Sequence, residues 1–156
     1  MNVQLALYQP DIPQNTGTLL RLGACLNMPV HIIHPTGFLF SEKSFRRAAM
    51  DYADHVHMQE HDSFCVFDEW RQADNRRLVL LTTRAEKSLY DFSFTPNDIL
   101  LFGRESAGVP QNVAEQCDAR LRIPMALDMR SMNVAIAAAL AIGEAKRQTD
   151  GFRNLR

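Results

Sequence analysis

Apolar residues along this chain fall into short, nearly continuous runs, and the segments between the runs repeat at helical spacing. Val3 to Tyr8, Val30 to His34, Leu78 to Leu81 and Asp98 to Phe102 are the runs, of the kind that strands buried on both faces of a parallel sheet show. Two weaker segments complete the set. His55 to Met58 alternates polar and apolar, and Arg120 to Ile123 does so until Pro124, which cannot donate to a strand ladder, ends it.

Helices are predicted in between. After Gln9-Pro10, Asn15 or Thr16 caps a helix whose apolar side is Leu19, Leu20, Leu22, Ala24 and Leu26. Ser41 precedes EKSFRRAAMDY, and Ser63 caps a helix to Gln72 with Phe64, Phe67 and Trp70 on one side. Pro110 opens PQNVAEQC. Ser131 stands where the last helix should begin, with Val134, Ala135, Ala138, Ala141, Ile142 and Ala145 behind it and Glu144, Lys146 and Arg147 in its closing turns. Strands alternating with helices predict an α/β fold, a mostly parallel sheet of five or six strands with helices on both faces, in one domain over residues 1–156.

Composition narrows the class. Hydrophobic residues make up 46% and charged residues 22%, which is ordinary for a globular protein, and no repeat or low-complexity linker interrupts the chain. No apolar run reaches the length of a membrane span and no basic region precedes the short apolar start, so a soluble, cytoplasmic protein is expected. Cys25, Cys65 and Cys117 are odd in number and scattered, which predicts reduced, mostly buried thiols. The net charge of −1 does not advertise nucleic acid. Of the 17 basic residues, however, only Lys43, Lys87 and Lys146 are lysine; the arginine excess suits phosphate contacts and follows equally from a GC-rich genome.

Candidate chemistry lies in the loops. Asn15, Gly17 and Arg21 fall together near the start of the first helix. Lys43, Arg46 and Arg47 share a helix face, as a phosphate contact or as a solvated patch. His55, His57 and His61 invite a metal, but no cysteine or carboxylate completes a ligand set, so none is expected. At strand C-termini stand Thr82-Thr83, the loop Gly103 to Gly108 with Glu105 inside it, and Pro124 to Ser131; open α/β folds place ligands at such positions. Individually these are caps, turns and solvated faces as readily as a site. No GxGxxG follows the first strand, and no Walker lysine or GxSxG elbow occurs. Spacing alone therefore reaches an α/β small-molecule-binding protein.

Three segments in order add more: PQNTGTLLR near the start, LLFGRESAGVP in the middle, and RIPM followed by RSMNVAIAAA. Together they resemble the three motifs of the SPOUT superfamily of RNA methyltransferases, over nearly the whole chain. IPQNTGTLLRL and FRRAAMDY look like the small TrmL type, the tRNA (cytidine(34)-2′-O)-methyltransferases.

This resemblance implies a C-terminal deep trefoil knot, an exception to the rule against threaded chains, and a homodimer with its active site at the subunit interface. It implies S-adenosylmethionine bound in the knot and S-adenosylhomocysteine as product, without a metal. Carried over position by position, the cofactor contacts are Leu81, Thr82, Gly103, Ile123, Met125 and Ser131. The implied catalytic set is Asn15, Arg21, Glu105, Ser131 and Asn133, with Arg21 reaching the other subunit's cofactor; Lys43, Arg46 and Arg47 are the RNA-binding candidates. The expected reaction is 2′-O-methylation of the wobble ribose, position 34, of leucine tRNAs. Another tRNA position, ribosomal RNA, or a non-catalytic RNA-binding role on the same scaffold are the alternatives.

Overall fold

A computed structural model of the chain describes residues 2–41, 43–45 and 50–156. Six strands form one sheet: β1 (Gln4–Tyr8), β2 (Val30–Ile33), β3 (Met58–His61), β4 (Arg77–Leu81), β5 (Asp98–Phe102) and β6 (Ala119–Leu121). Their spatial order is β3-β2-β1-β5-β4-β6, and every pairing is parallel. Successive side chains of a strand point to opposite faces, which is why β1, β4 and β5 are apolar after their first residues, Gln4, Arg77 and Asp98. Leu5, Leu7, Val79, Leu81, Leu100 and Phe102 join one core cluster, and Ala6, Tyr8, Leu78, Leu80, Ile99 and Leu101 join the other.

Helices cover both faces, as expected. Helix α1 (Pro13–Cys25) and the last helix, α4 (Val134–Gln148), pack on the first cluster through Leu19, Leu20, Ala138, Ala141 and Ile142. Helix α2 (Phe64–Ala73) and the short α3 (Gln111–Glu115) pack on the second through Phe67 and Val113. Ser63 caps α2 as predicted, its side chain accepting from the Val66 amide. Four local expectations need correction. The third strand is Met58–His61 rather than His55 to Met58, and the segment Met50–His55 forms a 3-10 turn. The last strand stops at Leu121, and Arg122 forms only an isolated bridge with Ser88. Neither Asn15 nor Thr16 caps α1, because Pro13, whose fixed φ suits the first helical position, starts it earlier. Cys25 and Cys65 are exposed on the outer sides of their helices; Cys117 alone is half-buried.

One buried polar chain crosses the β1-β2-β3 side. His31 Nε2 lies 2.8 Å from Gln4 Oε1, and its Nδ1 lies 3.0 Å from His61 Nε2, with both rings against Trp70 and Phe67. Donation from His31 to Gln4 and from His61 to His31 satisfies the chain when both histidines are neutral. Burial, reinforced by His61 and Arg76, holds the His31 pKa down to about 3 against its ordinary 6.5, and burial lowers His61 in the same direction. The unfolded chain takes up these protons below pH 6.5 and the folded chain refuses them, so this stability is full above 6.5 and lost as pH falls toward 3. Each pH unit in that window costs up to about 1.4 kcal/mol for His31. The urea midpoint should fall clearly between about pH 7 and about pH 5, above the range where carboxylates titrate. A flat midpoint there would show that the pair protonates without cost.

Candidate active site

The strand order changes direction between β1 and β5, and a crevice opens beyond the C-terminal ends of strands at such a point. The connection leaving β1 and the loop leaving β5 meet there. Asp11 and Glu105, 94 residues apart, clasp each other: the Asp11 amide donates to Glu105 Oε2 at 3.0 Å, and the Glu105 amide donates to Asp11 Oδ1 at 3.1 Å. Ser106 Oγ donates to the other Asp11 oxygen, and Arg104 Nε stands 3.7 Å from it.

The second carboxylate oxygen leads toward the C-terminal helix. Asn15 Nδ2 donates to Glu105 Oε1 at 3.4 Å, and Asn133 Nδ2 donates to Asn15 Oδ1 at 3.0 Å. Asn133 is also the N-cap of α4, its Oδ1 accepting from the amides of Ala135 and Ile136 at 2.8 and 3.4 Å. Ser131 therefore does not cap this helix; Asn133, two residues later, already satisfies the first free amides, and its orientation is fixed by that double acceptance. A relay Asn133–Asn15–Glu105 thus joins α4, α1 and the β5 loop.

Charge at this seam is unevenly held. Burial, then the neighbouring Asp11, raises the Glu105 pKa, whereas hydrogen bonding with Glu105 lowers that of Asp11. The two shifts run in opposite directions, so Glu105 has the greater proton affinity of the pair.

Beside the relay is a cavity of about 220 Å³, lined by the ends of β4 and β5, the segment that follows β6 and the start of α4. All six residues assigned to cofactor contact line it: Leu81, Thr82, Gly103, Ile123, Met125 and Ser131. Leu80, Phe102, Val109, Val134 and Ala137 make its walls largely apolar, and Glu105 stands at its edge. The β5 loop folds back tightly, with the amides and carbonyls of Arg104 and Gly108 bonded reciprocally at 3.0 and 2.8 Å. Gly108 takes φ +67°, and a Cβ on Gly103 would fall 2.5 Å from the Gly108 carbonyl carbon. The loop has this shape because both positions are glycine. An apolar slot edged by loop backbone and a few polar groups fits an adenosine-bearing cofactor such as S-adenosylmethionine.

Arg21 lies apart from the relay. Its guanidinium sits 4.7 Å from the centre of the Tyr52 ring, and among the described residues it has no hydrogen bond to Asn15, Glu105 or Asn133. Lys43 is exposed, and Arg46 and Arg47 lie outside the described residues. Asp11 went unnoticed in the sequence. The one signal for it is an acidic side chain in the short connection between the first strand and the Pro-initiated helix, next to the residues already singled out.

The chain is similar to known proteins over nearly its whole length. Residues 2–143 match the SpoU rRNA Methylase family. A tRNA (cytidine(34)-2′-O)-methyltransferase from Ancylobacter novellus is 54% identical over 152 residues, covering 97% of this chain and 96% of that protein. A solved structure, described under structural insights into the 2-OH methylation of C/U34 on tRNA, superposes with a TM-score of 0.86 at 44% identity, over 94% of this chain and 95% of the other. The SpoU methyltransferase AviRb from Streptomyces viridochromogenes, solved in complex with the cofactor AdoMet, gives a TM-score of 0.84 at 25% identity, over 94% of this chain and 60% of its own. With the family match over residues 2–143 and a relative 54% identical over nearly the whole chain, this chain belongs to the SpoU methylase family.

Proposed function

We propose that this protein is an S-adenosylmethionine-dependent methyltransferase that acts as a homodimer on the 2′-hydroxyl of the wobble ribose, position 34, of leucine tRNAs. The observation that carries the reading is the Asn133–Asn15–Glu105 relay standing at the edge of the apolar cavity. The position-34 chemistry in the names of close relatives supports the substrate class, and the AdoMet-bound AviRb supports the cofactor. The proposal includes the trefoil knot. Consistent with it, the chain leaving β6 lies against the β4–β5 connection, with the Arg122 amide donating to Lys87 at 2.8 Å and the Leu89 amide donating to Arg122 at 2.9 Å.

When bound, S-adenosylmethionine supplies a sulfonium-activated methyl group and leaves S-adenosylhomocysteine. Leu81, Thr82, Gly103, Ile123, Met125 and Ser131 would hold it. The ribose hydroxyl must lose its proton as it attacks. Glu105 is the acceptor: burial brings its proton affinity closer to neutral pH, where a general base is most effective, and Asn15 orients it. Arg21 is not a base, since a guanidinium is essentially never deprotonated; contributed by the partner subunit, it stabilises the developing alkoxide and the adjacent phosphate. Asn133 fixes Asn15, and Ser131 closes the cofactor side. Positioning of hydroxyl and methyl supplies much of the acceleration.

Ribose-methylation mapping of total RNA from a strain lacking this chain should show the wobble position of leucine tRNAs unmethylated and every other site intact. Loss at a ribosomal RNA position, with position 34 unchanged, would move the enzyme to another substrate within the family.

A further inference from the structure

A second cavity, about 740 Å³, shares a wall with the first, formed by Leu80, Thr82, Thr83, Glu105, Gly108 and Val109. Its outer rim carries Arg84 and Lys87 from the β4–β5 connection and Arg120 from β6, all exposed. Among the described residues none of the three has an ion-pair partner. Two of the three nearby carboxylates are already engaged. Asp118 pairs with Arg71 at 3.1 Å and accepts the Leu78 amide at 2.7 Å, and Glu105 belongs to the clasp with Asp11. Glu86 is the third, so the rim keeps an excess of positive charge. The Cys117 thiol, pushed up to about 12 by burial, offers no nucleophile, which leaves binding rather than covalent chemistry as the use of this space.

We propose that this cavity receives the RNA strand adjoining the methylated ribose, with Arg84 and Arg120 holding its phosphodiester oxygens and Lys87 adding charge at the mouth. The proposal rests on the reading of the chain as a tRNA methyltransferase and extends it to the path of the substrate. Three arguments support it. The cavity is continuous with the wall on which Glu105 sits, so a strand delivering its ribose to Glu105 has a place to continue. Unpaired arginines match phosphate geometry by their planar fork. A volume of about 740 Å³ has room for a nucleotide unit.

The test compares the full-length protein with Arg84→Ala/Arg120→Ala and with Arg84→Lys/Arg120→Lys, using an unmethylated leucine tRNA transcript as the probe over a range of salt concentrations. Each lost phosphate contact lowers the slope of log affinity against log salt by about 0.7 to 0.9. The alanine pair should bind tRNA at least about tenfold more weakly with a slope shallower by about 1.5, and the lysine pair should keep most of the slope. S-adenosylmethionine affinity should stay as in wild type. Wild-type tRNA affinity and slope in the alanine pair would overturn the proposal, as would an equal loss of cofactor affinity, which would assign these arginines to supporting the loops. Separate measurement of wild-type methylation at position 34 distinguishes the two levels. Methylation with arginine-independent tRNA binding removes only the cavity, whereas arginine-dependent tRNA binding without methylation keeps the cavity and removes the assigned reaction.

Discussion

Glu105→Gln should lower turnover by a factor of about 10² to 10⁴, the range that a positioned proton acceptor contributes, with little change in S-adenosylmethionine affinity. Glutamine keeps the shape and can still accept the Asp11 amide, so the clasp between the two loops survives, while the proton acceptor is lost and the new side-chain nitrogen faces the Asn15 nitrogen, donor against donor. The same variant tests the proposed sharing of the site between two subunits. Arg21 lies over Tyr52 and away from the relay of its own chain, as a residue serving a partner's site would. Inactive Glu105→Gln chains mixed with inactive Arg21→Ala chains, after subunit exchange, should regain about a quarter of wild-type activity, because half the dimers are hybrids with one intact site in two. No recovery would place Arg21 outside the partner's chemistry, and full activity of Glu105→Gln would remove the carboxylate from the mechanism.

Gly103→Ala, one methyl group, should weaken cofactor binding by at least about tenfold. The added carbon would meet the Gly108 carbonyl carbon at 2.5 Å, its Cα at 2.7 Å and the Val109 nitrogen at 2.9 Å. All three are backbone atoms, so no side chain can swing aside. The reciprocal bonds between Arg104 and Gly108 have to lengthen or break, and the wall shared by the two cavities goes with them. The overall fold should survive with a loss of about 1 to 3 kcal/mol, the usual cost of overpacking. Calorimetric titration with S-adenosylmethionine checks the first effect and thermal unfolding the second; a wild-type dissociation constant would show that this loop is not a cofactor wall.

The central strands were legible because burial on both faces demands unbroken apolar sequence, as in Leu78 to Leu81 and Asp98 to Phe102. The third strand was misplaced for the complementary reason. Met58–His61 lies at the sheet edge with Gln59 and Glu60 exposed, so its position is set by pairing with Val30 to Ile33 and leaves little trace in hydrophobicity. Helix starts were blurred by competing caps. Pro13 overrode Asn15 and Thr16, and Asn133 overrode Ser131, choices that depend on which side chain the tertiary structure aims at the free amides. The chemically active loops were visible one at a time through their glycines, asparagines and Glu105. Their convergence was not, since the bonds from Asp11 to Glu105 and from Asn15 to Asn133 span 94 and 118 residues.

The mutual grip of Asp11 and Glu105 also ties two motions together. Each residue's amide is held by the other's carboxylate, so the turn after the first strand cannot loosen while the glycine-rich loop stays closed. Any opening of the glycine-rich loop therefore disturbs the root of the first helix, the segment that carries Arg21. On the proposed reading, with Arg21 serving the partner's site, this linkage would report the occupancy of one slot to the other.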